Sequence, residues 1–128
     1  MTKPLLMVVD DDPEMVNLVA DVGMTSGFEV LQYLDARAFQ EALITNTPTV
    51  IIMDIVMPKI EGVELLKWLA EQGCTAPIII MSGYDGKYLT FTERLGSATG
   101  SHILGTLTKP FKIEDLEALL KEALAAAQ

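Results

Sequence analysis

The amino-acid sequence predicts an α/β domain in which a parallel sheet is covered by helices on both faces. Five short apolar runs, at 5–9, 28–31, 50–53, 78–81 and 103–107, alternate with segments of helical periodicity. Three of them, at 5–9, 50–53 and 78–81, contain no polar residue, as strands buried on both faces require. Side chains able to do chemistry follow the runs directly, where open α/β sheets place their ligands.

The intervening segments justify the helices in turn. After the first run, Asp12 is an N-cap and Pro13 the first helical residue; Val16, Val19 and Val22 then share a face, and Gly23 and Gly27 end the helix. Ala38, Phe39, Ala42 and Leu43 make a second apolar face, and Val63, Leu66, Leu69 and Ala70 a third, closed by Gly73. Residues 86–100 are the least helical, because Gly96, Ser97, Thr99 and Gly100 are poor interior residues. Ile113, Leu116, Leu120 and Leu124 recur every three or four residues in the last segment. No linker or repeat interrupts the pattern, and 1–128 is expected to be a single domain.

Composition narrows the function. Eighteen acidic against nine basic side chains give a formal charge of -9, which disfavours the phosphate contacts that supply most nucleic-acid affinity. The apolar runs are too short to span a bilayer and residues 1–9 lack the features of a signal peptide, so a cytoplasmic protein is expected. Cys74 is the single cysteine and has no thiol partner. His102 has no ligand-spaced neighbour, Trp68 is expected to pack, and the seven methionines fill the core.

The residues at the run ends are Asp10 and Asp11, then Asp54, then Ser82, then Thr108 and Lys109. Taken singly, each has a plain structural role as a cap, turn residue or solvated charge. Together they place three carboxylates, a hydroxyl and an ammonium along one edge of the sheet. Carboxylates gathered at neutral pH repel unless one is protonated or a cation joins them. An oxygen donor set without histidine or cysteine favours Mg²⁺, which retains waters and can accept a phosphate oxygen. Asp54 is the candidate nucleophile, because it ends a buried run and precedes the turn signal Met57-Pro58. Ser82 and Lys109 can supply a hydrogen bond and a positive charge to phosphoryl oxygens.

Four stretches carry a family resemblance: Val8-Val9-Asp10-Asp11-Asp12-Pro13, Ile52-Met53-Asp54-Ile55-Val56-Met57-Pro58 with Gly62, Ile80-Met81-Ser82-Gly83, and Thr108-Lys109-Pro110-Phe111. In these the chain resembles the receiver domain of two-component response regulators over its whole length. The resemblance implies a flavodoxin-like (βα)5 fold with strand order 2-1-3-4-5. It also implies that Asp54 accepts a phosphoryl group from a sensor histidine kinase or histidine phosphotransfer protein, switching an output domain or partner. By the same resemblance Asp11 ligates Mg²⁺ directly, Asp10 through water and Val56 by its backbone carbonyl, and the Lys109-Pro110 peptide is cis.

The chain departs from that family at Thr106, where an aromatic switch residue is usual three positions before the lysine. Val56 and Tyr84 occupy positions that in the family flank the path of hydrolytic water, and they are apolar or bulky where a polar side chain would help orient it, so slow phosphate loss is expected. The segment from Leu104 to Pro110 resembles receivers attached to cyclic-di-GMP phosphodiesterase output domains. Two other readings stand beside this one. Thr106 suits a pseudo-receiver that only binds partners. Asp10 and Asp12 with Ser82 and Lys109 mimic a haloacid dehalogenase-like phosphohydrolase, although only one helix, with Glu114 and Asp115 at its start, follows the lysine to supply that family's last acidic motif.

Overall fold

The computed structural model of the protein describes residues 3–55, 62–83 and 100–127. The five runs become five parallel strands: β1 Leu5–Val9, β2 Glu29–Tyr33, β3 Val50–Asp54, β4 Ile78–Ser82 and β5 Ile103–Thr108. They form one sheet in the order β2-β1-β3-β4-β5, the arrangement of the flavodoxin-like fold. Four helices are described: α1 Pro13–Thr25, α2 Ala36–Thr45, α3 Gly62–Glu71 and α4 Ile113–Ala126.

Alternation along the strands divides the interior into two layers. Leu6 and Val8 of β1, with Val50 and Ile52 of β3, face Val16 and Val19 of α1 and Leu116 and Leu120 of α4. Met7, Val9, Ile51 and Met53 face the opposite way, toward Phe39 and Leu43 of α2 and Leu65, Leu66 and Leu69 of α3. All residues of β3 and β4 are buried, so the unbroken apolar runs mark the central strands. The edge strand β2 carries exposed Glu29 and Gln32 and pairs with β1 alone.

Helix boundaries follow local chemistry, with some corrections to the expected ones. Asp12 caps α1 by accepting from the Glu14 N–H at 3.0 Å, and Asp35 caps α2 through the Ala38 N–H at 2.9 Å. Gly23 does not end α1, which continues to Thr25. Instead Gly23 is buried against β1, where an added Cβ would lie 2.7 Å from Leu6 Cδ2. Gly27, with φ of 95°, makes the turn into β2, which is displaced toward Tyr33 relative to the expected 28–31. In α3 Leu65 is buried and Val63 only half-buried; in α4 Ala123 takes the inner position expected of Leu124, while Ile113 is exposed. The buried positions, Gly62, Leu65, Leu66 and Leu69 in α3 and Leu116, Leu120 and Ala123 in α4, keep the spacing of a single helical face.

Two close approaches fix the right-hand part of the sheet. Between β4 and β5 the register slips after Ile78–Ile103 so that Ile79 pairs with Gly105, leaving Leu104 as an extra residue in β5. The missing side chain at Gly105 admits Leu119 of α4, whose Cδ2 would sit 2.5 Å from a Cβ there. On the other face, the Gly62 N–H donates to the Ile55 carbonyl at 2.8 Å, tying the start of α3 to the exit of β3.

Gly62 has no room for a side chain, because a Cβ would meet the Ile55 Cα and carbonyl oxygen at 2.7 Å. These are backbone atoms that cannot rotate away. Gly62→Ala is expected to lower folding stability by about 2 kcal/mol, measured by urea denaturation. A midpoint equal to that of the unaltered chain would contradict this packing.

Candidate functional site

Strand order places the site. The chain leaves β1 toward β2 on one side and leaves β3 toward β4 on the other, so a crevice opens at the carboxyl ends of β1 and β3. Asp10 follows β1 immediately, and Asp54 is the last residue of β3. Val9 pairs with Met53, which sets these two aspartates side by side. Ser82 ends β4 and Thr108 ends β5 as its register partner, with the Lys109 N–H donating to the Ser82 carbonyl at 2.7 Å.

Asp10 has no solvent exposure and Asp54 only 7%, while Asp11 is exposed at the mouth. One carboxylate oxygen from each of the three can be drawn from a group lying within 4.8 Å of one another. At that separation two charged carboxylates repel by about 3.5 kcal/mol for an effective dielectric constant near 20. Lys109 answers part of this: its Nζ donates to Asp10 Oδ2 at 2.7 Å and to Asp54 Oδ2 at 3.2 Å. The other Asp10 oxygen, Oδ1, accepts from the Asp12 N–H at 3.0 Å.

Burial pushes the Asp10 carboxyl above its ordinary range; the hydrogen bonds from Lys109 and the Asp12 amide offset this in part, and the charge of Asp54 adds to it. Burial alone would lower the Lys109 ammonium, but hydrogen bonding and attraction from Asp10 and Asp54 outweigh it and hold the lysine above its usual value. The lysine is thus charged and the pocket still carries more negative than positive charge. A divalent cation fits such a pocket, and donors that are all carboxylate oxygens fit Mg²⁺ rather than a softer metal. Asp10, Asp11 and Asp54 are the described residues that would hold it.

The remaining expected residues divide as follows. The Ser82 side chain is buried beside the crevice and donates to the Gly83 carbonyl at 3.2 Å. Thr106 is half-buried in β5, paired with Ile80. The Lys109-Pro110 peptide is cis. Val56, Tyr84 and the Met57-Pro58 turn lie outside the described residues, as does almost all of the segment 86–100. The Asp12 carboxylate caps α1 through one oxygen, the structural role of a residue before the first helical turn. What sequence reasoning passed over is the Asp12 amide as a partner of Asp10; an aspartate two residues before a helix cap is the available signal. A separate cavity of about 530 Å³ opens at the other end of the strands, among Leu43, Pro48, Trp68 and Pro77, away from these carboxylates. Among the described residues no helix is long and apolar enough to cross a membrane.

A parallel sheet of this order, with clustered carboxylates and a lysine at its crevice, defines the class of flavodoxin-like phosphoacceptor modules. The chain belongs to the response regulator receiver domains of two-component phosphorelays: the family profile described as "Response regulator receiver domain" matches residues 6–121. It is similar to the transcriptional regulatory protein FixJ of Bradyrhizobium diazoefficiens, 32% identical over 99% of this chain and 60% of that protein. It is also similar to the alkaline phosphatase synthesis transcriptional regulatory protein PhoP of Bacillus subtilis, 28% identical over 96% of this chain and 49% of that protein. The chain therefore spans about half to three fifths of the length of these relatives. Among solved structures, a response regulator from Colwellia psychrerythraea superposes with a TM-score of 0.82 at 31% identity, covering 99% of this chain and 100% of that one. A CheY-like receiver from Methanospirillum hungatei shares the fold with a TM-score of 0.84 at 22% identity, over 98% of this chain and 96% of that one.

The charge imbalance has a measurable consequence in metal-free protein. Asp10→Asn removes a buried negative charge beside Asp54, and its one carbonyl oxygen still accepts from the Asp12 amide while its NH2 replaces the oxygen that accepts from Lys109. It is expected to raise folding stability by about 1 kcal/mol in the presence of EDTA, read by thermal unfolding. A clear loss of stability would show instead that the Asp10–Lys109 attraction dominates.

Proposed function

We propose that this chain is a single receiver unit, 1–128, that accepts a phosphoryl group on Asp54 from a partner's phosphohistidine and works in the cytoplasm as a switch rather than as a turnover enzyme. The observation that carries this reading is the Lys109 ammonium joining Asp10 and Asp54 within a cluster of three carboxylates at the sheet's switch point. Bound Mg²⁺ would neutralise charge on the transferring phosphoryl oxygens. The donor would be a sensor histidine kinase or a histidine phosphotransfer protein.

The chain's own residues have distinct tasks in this reading. Asp10, Asp11 and Asp54 would hold the cation, with the Val56 carbonyl added by the family resemblance. An Asp54 oxygen attacks phosphorus in line; the new O–P bond forms as the P–N bond to the donor imidazole breaks, and the imidazole leaves with the electron pair. Lys109 already lies against Asp54 Oδ2 at 3.2 Å, so its charge needs only a small movement to meet a phosphoryl oxygen on that carboxylate. The Ser82 hydroxyl, buried one strand away, turns from the Gly83 carbonyl to donate to a second phosphoryl oxygen. Thr106 cannot provide an aromatic rotamer switch, so the change at Ser82 passes into the segment that follows it. For the output domain or partner, FixJ and PhoP are transcriptional regulators by name, and a cyclic-di-GMP phosphodiesterase output is the alternative suggested by Leu104 to Pro110.

Incubation with acetyl phosphate and Mg²⁺ is expected to add the mass of one phosphoryl group, and Asp54→Asn is expected to abolish the gain. No gain in the unaltered chain would favour a pseudo-receiver, and sustained turnover of p-nitrophenyl phosphate would favour a hydrolase. Because Val56 and Tyr84 stand at the positions that in the family flank the path of water, the phosphorylated form is expected to outlast seconds and Tyr84→Glu to shorten its lifetime, both followed by loss of label after removal of donor.

A further inference from the structure

Asp10 and the N-terminus of α1 are joined through a single residue. The Asp12 N–H donates to Asp10 Oδ1 at 3.0 Å, its side chain accepts from the Glu14 N–H at 3.0 Å, and its carbonyl accepts from the Val16 N–H at 3.1 Å. The backbone at Asp12 is extended, with φ of -92° and ψ of 110°. Pro13 reinforces this, because a residue before proline is disfavoured in helical conformation. Asp12 is thus held on its helical side by the first turn of α1 and presents its amide to the acidic pocket.

This geometry matters because Asp10 has one oxygen on Lys109 and the other on this amide. A carboxylate whose second oxygen is tied keeps its rotamer when the lysine moves away. The amide also removes part of the negative charge from the oxygen that does not face Lys109. Partners that orient a ligand carboxylate commonly change metal affinity when they are lost.

We infer that Asp12 is a positioning residue: by capping α1 it aims its own amide at Asp10 and presets that carboxylate for a divalent cation. The role rests on the proposed Mg²⁺ site and deepens it, since Asp12 itself contributes no ligand. What is required of the side chain is an acceptor for the Glu14 N–H, not a charge. Asparagine and serine meet that requirement and alanine does not.

The test is Mg²⁺ binding by isothermal titration calorimetry, with deuterium exchange of the Asp12 amide in metal-free protein as a readout independent of the cation. Asp12→Ala is expected to weaken Mg²⁺ about tenfold and to speed exchange of that amide. Asp12→Asn should remain within about threefold of the unaltered chain, the residue left by losing an exposed charge. Asp35→Ala removes the side-chain cap of α2 and an acidic group on the same edge of the sheet, and so controls for loss of a cap and of a charge; it should leave Mg²⁺ affinity within about threefold of the unaltered chain. Equal losses in Asp12→Asn and Asp12→Ala would overturn the inference in favour of charge alone. Unchanged affinity in Asp12→Ala, or an equal loss in Asp35→Ala, would also overturn it. Absence of Mg²⁺ binding in the unaltered chain would instead remove the underlying site, and the role of Asp12 with it.

Discussion

Asp10 and Asp54 stand next to each other because β1 and β3 are neighbours in a parallel sheet, and burial prevents water from separating their charges. The rest of the site answers that repulsion. Lys109 comes from the far end of the sequence to donate to both carboxylates, and its reach depends on β5 lying beside β4 with the Lys109 amide on the Ser82 carbonyl. The ion pairs do not balance the pocket, which keeps an excess of negative charge. A molecule built this way stores a standing demand for positive charge at the place where a phosphoryl group would arrive.

The glycines of the fold show a second, steric constraint. Gly23, Gly62 and Gly105 are places where one element presses against another too closely for a side chain, α1 on Leu6, α3 on the Ile55 backbone and β5 on Leu119. Two of these contacts lie on segments that leave the pocket or lead to it. The bulge at Leu104 and the bare Gly105 come directly before half-buried Thr106, so β5 approaches the site through an irregular stretch.

Much of this was readable before the structure. Unbroken apolar runs identified the central strands, because strands buried on both faces cannot afford polar alternation, and the residues after them marked the edge on which Asp10, Asp54, Ser82 and Lys109 gather. Asp12 and Pro13 announced the start of α1 correctly, since capping is a local interaction. Gly23 misled, because a glycine in contact with another element looks the same in sequence as one that ends a helix. The edges of helical stripes were also misjudged, at Val63, Ile113 and Leu124, because the choice went to the larger apolar side chain where Leu65 and Ala123 hold the inward positions. The Asp12 amide was invisible to reasoning about side chains, being a backbone group in a polar turn.

The interior is not one core but two, separated by the sheet: one layer contains Val19 and Leu116, the other Phe39 and Leu66. No side chain of one layer needs to match the shape of the other. Replacements can accumulate on either side and be compensated locally, while the rim of the partition, where the carboxylates sit, keeps its backbone course. Such an arrangement is suited to lineage drift: at 31% identity to the Colwellia psychrerythraea regulator the two chains still superpose over 99% of this one. A scaffold of this kind can exchange its outer faces, and with them its partners, while leaving a phosphorylation chemistry at the rim untouched.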